Sequence, residues 1–335
     1  MTTRSNPTHP SGTAADHEVD HDVDHVVVGA GAIGTNLARR LADQGDHVRV
    51  ITRSGQGPAH PRVECVAADA SDVARLSSLT AGAGTIFNCA NPPYPKWASA
   101  WPGLSRGMIG AAEATGARLV TISNLYGYAA DSSPMRATDE LDPPTRKGAI
   151  RVATWHEALA AHEAGRIRAT EVRASDFIGP GVGANGHIGD RFVPRILAGK
   201  NVSVLGRPDV EHSWTYVDDV VTTLVAVSAD DRAPGRAWHV PTGPPLTFEQ
   251  LAAEVASAAG VVPVEVKPLH PVLLRIAGLF SPMIRELPEM LYQFERPFVI
   301  DATDTIETFG IEPTPLVDQL RATIESYRPT VRVAA

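Results

Sequence analysis

The chain carries a strand, a glycine turn and a helix in immediate succession. His25-Val-Val-Val-Gly-Ala-Gly-Ala-Ile-Gly34 passes from a β-branched run into Gly29, Gly31 and Gly34, and Ile33, Leu37, Ala38 and Leu41 then recur at helical spacing. A strand must end, the chain must turn within a few residues, and a helix must pack back on that strand, which commits the chain to a βα unit. In that setting G-x-G-x-x-G predicts a dinucleotide site. Gly29 permits the tight turn, Gly31 lets backbone amides approach a pyrophosphate, and Gly34 lets helix and strand pack closely. The first helical amides, at Ala32 and Ile33, then face the anion. The alternative is a ligand-free turn, and the continued helical pattern tells against it.

From His25 onward strands and helices alternate. Strands are predicted over 25–28, 47–52, 63–67, 85–89, 118–123 and 168–173, and helices over 33–44, 73–80, 104–115 and 150–164. Gly45, Gly116 and Gly165 stand where helix C-caps belong. This order predicts an α/β fold, a doubly wound parallel sheet with helices on both faces and a ligand crevice at the strand C-termini. Beyond about Ser175 the texture changes to turns, beginning with the breakers of Phe177-Ile-Gly-Pro-Gly181, and helices follow at 247–259 and 282–294. The apolar run 272–280 is too short to cross a bilayer, which takes roughly 20 residues, and is expected in the core or over a pocket.

Composition excludes several classes. The 335 residues are 43% hydrophobic and 20% charged, with a formal charge of -8, which speaks against nucleic-acid and acidic-lipid partners. No membrane partner is expected, a homodimer is compatible with the sequence, and the location predicted is the cytoplasm. Cys65 and Cys89, both inside predicted strands, are expected to be buried thiols in a reducing compartment. Residues 1–24 have almost no large apolar side chain and are predicted to be disordered. The acids and imidazoles of Asp16-His-Glu-Val-Asp-His-Asp-Val-Asp-His25 are expected to be a solvated tail rather than a metal site. No metal site is expected elsewhere, and His187, His212 and His239 read as satisfied structural histidines.

The second strand ends in Thr52-Arg53-Ser54, with Thr52 where an NAD-selective site would carry an acid. The Arg53 guanidinium can pair with a 2′-phosphate, so NADP(H) is expected over NAD(H), the latter remaining possible. Asp69 is placed either at the adenine edge or as cap of the helix beginning near Val73. Together with Asn88-Cys-Ala90, Ser123, Arg173-Ala-Ser-Asp-Phe-Ile-Gly-Pro180 and Tyr216-Val-Asp-Asp219, these residues form an ordered series. Over about residues 26–327 the chain resembles an extended short-chain dehydrogenase/reductase of the NAD-dependent epimerase/dehydratase family. The resemblance implies a Rossmann domain over 25–175 and a smaller substrate lobe over 176–335, part of which returns to the first domain. It also implies a nicotinamide cofactor touching Ala90 among others, and a small-molecule substrate.

Two departures stand out. Val27 and Val28 replace the Thr and first Gly with which extended members usually open. The family's catalytic Tyr-x-x-x-Lys is expected roughly 25 to 30 residues beyond Ser123, yet no tyrosine occurs between Tyr128 and Tyr216. Lys147-Gly-Ala-Ile-Arg151 has the best-matching spacing. At i and i+4 the two cations share a helical face. Lys147 could lie toward the nicotinamide ribose with its pKa lowered by Arg151, as proton donor, or both could simply bind ribose, phosphate or a carboxylate. Tyr126 and Tyr128 are alternative donors, and Ser123 could orient a substrate oxygen. Tyr94 and Trp97, held by the prolines of Asn91-Pro-Pro-Tyr-Pro-Lys-Trp97, are expected either to shape an apolar substrate pocket with Phe177 or to pack against the next helix. The function expected is NADP(H)-dependent oxidoreduction of a small, partly apolar metabolite. The alternatives are epimerase or dehydratase chemistry without net redox change, and a catalytically silent nucleotide sensor.

Overall fold

A computed structural model describes residues 23–183 and 186–328. Seven parallel strands form one sheet: β1 (His25–Val28), β2 (Val48–Thr52), β3 (Val63–Ala67), β4 (Thr85–Asn88), β5 (Arg118–Asn124), β6 (Arg168–Ala174) and β7 (Ala237–His239). Their order is β7-β6-β5-β4-β1-β2-β3. The winding reverses at β1, which pairs with β2 on one side and β4 on the other. The crevice beyond the ends of β1 and β4 is therefore the topological switch point, where ligands bind in sheets of this kind. Val26, Val27 and Val28 are buried, because helices cover both faces of the central strands.

Four helices connect the strands: α1 (Ala32–Asp43), α2 (Val73–Leu79), α3 (Trp97–Thr115) and α4 (Arg146–Glu163). Asp72 caps α2 by accepting from the Arg75 amide, so Asp69 is not the cap of that helix. α3 begins earlier than its apolar pattern predicts and runs through Pro102, with Trp97 and Trp101 buried on its first turns. α4 also begins early, at Arg146, because Thr145 caps it through the Gly148 amide.

The later residues return to the first domain. The helix Val217–Ala229 packs on α1, where Arg40 grips Asp218 with two hydrogen bonds of 2.7 and 2.8 Å, and β7 extends the sheet beside β6. Three short parallel pairs complete the fold: Asp176–Ile178 with Trp214–Tyr216, Val202–Val204 with Val266–Pro268, and Met135–Arg136 with Ile300–Asp301.

Several expectations are corrected. Within the segment expected to be disordered, Val23 is buried and Asp24 receives the amides of His47 and Gly84 on its carboxylate and carbonyl; residues 1–22, and with them the start of the acid and imidazole run, lie outside the described residues. Cys89 is buried, but Cys65 is exposed because β3 is the sheet edge. The predicted helix 282–294 is instead a turn of α-helix at Pro282–Arg285 and a 3₁₀ stretch at Leu287–Phe294, divided where Pro288 removes a donor. The helix Pro271–Phe280 leaves Leu279 and Phe280 exposed rather than in the core. Among the described residues no helix is long and apolar enough to cross a membrane.

Candidate active site

A cleft of about 1140 Å³ opens along the C-terminal ends of β1, β2, β4, β5 and β6. At its floor Gly29 adopts φ +102, and a Cβ there would lie 2.7 Å from the Cys89 carbonyl oxygen. A Cβ at Gly34 would lie only 1.9 Å from the Gly29 oxygen, so α1 can sit against the turn only without one. A Cβ at Gly31 would meet nothing within 4 Å; its side of the turn faces the cleft. Gly31 is also the N-cap of α1 and offers no side-chain cap, so the first amides of that helix are presented without a local acceptor.

Ala32 and Ile33 line this end of the cleft, as do Thr52, Arg53 and Ser54 from the end of β2. The Thr52 hydroxyl donates back to the Gln56 carbonyl at 2.9 Å. Arg53 is exposed on the wall. Asp69 lines the cleft just past β3, where its carboxylate accepts from the amide and hydroxyl of Ser71; these bonds, with help from Arg53, hold its pKa below the usual carboxylate range. Ala90 follows β4 and lines the middle.

Toward the other end lie Ser123, Tyr126, Tyr94 and Phe177, all expected there. The Tyr94 and Tyr126 hydroxyls are 2.8 Å apart. Burial pushes Tyr94 up to about 12 and Tyr126 well above the ordinary phenol value. Arg151 reaches the cleft from α4, donates to Ser123 Oγ at 3.2 Å and to the Ile122 carbonyl at 2.7 Å, and lies over the Trp101 ring. Burial lowers its pKa to about 10.

Three expected residues do not line the cleft. Lys147 shares a helix with Arg151 but turns away: its ammonium is buried against Glu286 Oε2 at 2.6 Å and against Glu289, with the Tyr94 ring 5.2 Å below. Two carboxylates, and not the neighbouring guanidinium, surround it, so its expected role as a cleft-facing donor or ribose ligand is corrected. Tyr128 is buried in a chain that runs from Glu171 through Arg173 to the Tyr128 hydroxyl, then to His239 Nε2 at 2.7 Å. His239 Nδ1 completes that chain at the Asp301 carbonyl, 2.9 Å away. Trp97 is core: its Nε1 donates to the Pro92 carbonyl, and its ring packs between Tyr94, Trp101 and Tyr126.

Sequence reasoning passed over the Asp176 carboxylate and read His187 as a structural histidine. Both line the cleft, and His212 stands behind them with Nε2 at 2.9 Å from Asp176 Oδ2. Asp176 lies only two residues past β6, inside a stretch singled out for its order in the chain and not for its carboxylate. The histidines arrive from separate loops, so no spacing connects them to it. His212 and His239 are satisfied as expected; His187 faces the cleft.

A sequence profile described as the NAD dependent epimerase/dehydratase family matches residues 25–240. The chain is 28% identical over 253 residues to dTDP-6-deoxy-L-talose 4-dehydrogenase (NAD(P)(+)) of Kitasatospora kifunensis, covering 70% of this chain and 79% of that protein. It is 23% identical over 257 residues to the 3 beta-hydroxysteroid dehydrogenase/Delta 5-->4-isomerase of Mycobacterium tuberculosis, covering 70% and 69% respectively. UDP-glucose 4-epimerase from Thermotoga maritima, solved with UDP-glucose, superposes with a TM-score of 0.75 at 20% identity over 91% of this chain and 99% of that one. With its switch-point crevice and glycine turn, this chain belongs to the NAD-dependent epimerase/dehydratase family.

Proposed function

We propose that this protein is an NADP(H)-dependent oxidoreductase of the short-chain dehydrogenase/reductase type, acting on a small, partly apolar metabolite. The observation that carries the cofactor choice is Arg53 on the cleft wall at the end of β2, with Thr52 in place of a carboxylate. Its guanidinium can form charged hydrogen bonds with a 2′-phosphate, to which Ser54 adds a hydroxyl. The shape fits a dinucleotide: the space beside Gly31 and the uncapped amides of α1 suit a pyrophosphate. A bound nicotinamide would supply the hydride chemistry, and the chain's own groups would orient and exchange protons. Residues 25–175 would hold the cofactor and residues from 176 onward would close the substrate side.

On that side Tyr94, Tyr126, Phe177 and Phe298 give an aromatic lining with few charges, which suits a partly apolar ligand. Ser123 Oγ accepts from Arg151, so its own proton is free to point at a substrate oxygen. Tyr126, whose phenol stays protonated, can donate to the same oxygen. The 28% identical relative is named a dehydrogenase, which favours net redox turnover; the family match also accommodates epimerase or dehydratase chemistry.

The test is titration of NADPH and NADH by nucleotide fluorescence against the wild type and Arg53→Ala. NADPH should bind the wild type more tightly, and the variant should weaken it selectively by about 1.5–3 kcal/mol, the worth of hydrogen bonds to a charged group. Equal losses for both nucleotides would overturn the assignment. Net change in nicotinamide absorbance on turnover separates dehydrogenation from epimerisation.

A further inference from the structure

Resting on that reading, we propose that His187, oriented by the Asp176 carboxylate, is the group that takes the proton from a substrate hydroxyl as it is oxidised in this cleft. The work that a tyrosine would do elsewhere on the helix is moved to the loop after β6.

The geometry has three layers. His187 lines the cleft, with its side chain 28% exposed. Asp176, also lining the cleft, has Oδ1 at 3.8 Å from His187 Nε2 and Oδ2 at 2.9 Å from His212 Nε2. Behind them His212 is 1% exposed, with Nδ1 3.3 Å from the Gln293 carbonyl and its ring stacked on Phe294 and on Phe298. One carboxylate thus joins a fixed inner imidazole to an outer imidazole that can meet a ligand. A base held by a third group in this way is the usual arrangement for activating a hydroxyl. At 3.8 Å the neutral ring stands within reach of the carboxylate, and the contact would close to an ion pair when the outer ring gains a proton.

Elimination across the cleft leads to the same residue. Burial pushes Cys89 and Tyr94 up to about 12 and Tyr126 well above the ordinary phenol value, so none of them gives up a proton near neutrality. Arg53 and Arg151 carry guanidinium groups, which are donors without an acceptor, and Asp69 lies at the glycine-turn end, bonded to Ser71. Lys96 is exposed on the segment ahead of α3. His187 is the one imidazole among the described residues that line the cleft. The ionisable groups that face it are Asp176 and His212, and burial outweighs the Asp176 charge to bring its pKa below the ordinary imidazole value. The ring is therefore a neutral base at pH 7. The two imidazoles hold Asp176 below the usual carboxylate range despite its burial, so it is charged and stabilises the imidazolium that forms.

The step balances. The substrate carbon loses hydrogen with its electron pair to nicotinamide C4, and the O–H pair becomes the second carbon–oxygen bond. The released proton goes to His187 Nδ1, while Nε2–H turns to Asp176. Substrate is oxidised, NADP⁺ is reduced, and the imidazolium gives its proton to water. In the reverse direction it protonates the nascent alkoxide.

The test uses the ¹⁵N-labelled full chain, with imidazole resonances followed from pH 5 to 8 alone, with NADPH and with NADP⁺. One imidazole, missing in His187→Gln, should titrate at a midpoint at least about half a pH unit lower with NADP⁺ than with NADPH, because a cationic ring beside it penalises the imidazolium. Asp176→Asn should lower that midpoint in every state. In parallel, His187→Gln should slow NADPH oxidation by 4-nitrobenzaldehyde about a hundredfold or more, with NADPH affinity within about threefold. If both nucleotides bind and the His187 midpoint ignores which is present, the assignment falls and the cofactor reading stands. Absence of any saturable response to either nucleotide overturns both. The spectra decide whatever the reactivity of the aldehyde.

Discussion

Replacing Lys147 with methionine separates two incompatible accounts of a residue that the sequence offers at the spacing expected for the family's tyrosine. In the structure it is a buried ionic tie: Nζ meets Glu286 and Glu289, and the Lys147 amide donates to Glu289 Oε1 at 2.9 Å. Lys147 is 3% exposed, and its partners are 29% and 27% exposed. Removing one partner of a fully buried pair costs about 3–5 kcal/mol, because the other charge is stranded. Water reaches these glutamates in part, and methionine keeps most of the stem's packing, so the expected loss is about 2–3 kcal/mol. Urea unfolding measures it as a lower midpoint at unchanged slope. Adding Glu286→Gln and Glu289→Gln to Lys147→Met removes the stranded charges and should restore more than half of the loss. A Lys147→Met protein within about 0.5 kcal/mol of wild type, with NADPH bound normally and turnover down about a hundredfold, would refute the tie and reinstate Lys147 as the proton donor.

Gly34→Ala should reduce NADPH affinity at least about tenfold in a fluorescence titration, because the new Cβ would press α1 away from the Gly29 carbonyl and move the amides that face the pyrophosphate. Tyr128→Phe strips an acceptor from Arg173 and a donor from His239, so urea unfolding should show a loss of about 1–3 kcal/mol while NADPH affinity is unchanged. His239 is held neutral in the fold, its pKa brought down to about 3 chiefly by burial and then by the Arg173 charge. The unfolded chain takes up that proton first as pH falls, so this contribution is complete above about 6.5 and shrinks toward pH 3. Between pH 6.5 and 5, His239→Gln should flatten the stability curve by up to about 1.4 kcal/mol per pH unit, read from urea midpoints.

The sheet was legible because its signals are local. β1, β3 and the glycine turn follow from β-branched runs and from the glycine spacing, and the crevice follows from the alternation of elements. Boundaries failed where a polar cap or a proline hid the periodicity, as at Thr145 and Pro102. The glycine-turn end of the cleft was legible for the same reason: Gly29 to Gly34, Arg53 and Asp69 each line it just past the end of a strand. The other end is assembled from residues far apart in the chain. Whether Lys147 faces the cleft depends on Glu286 and Glu289, about 140 residues later, and no helical periodicity carries that information. Tyr128 shared the cleft-mouth segment with Tyr126 but lies on the other side of its turn, against His239.

Lys147 and the His187 site are connected through one segment. Glu286 precedes the 3₁₀ stretch Leu287–Phe294 and Glu289 lies within it, together with Gln293 and Phe294. Gln293 supplies the carbonyl that faces His212 Nδ1, and Phe294 packs on the rings of both His212 and His187. The Lys147 ammonium thus fastens to α4 the stretch that packs on the histidines around Asp176. A lysine so engaged does not serve the cleft, and the contact that withdraws it also supports the residue proposed above as the base. It follows that Lys147→Met should disturb the His187 titration even though the two side chains do not touch, whereas Arg53→Ala, at the far end of the cleft, should leave it unchanged.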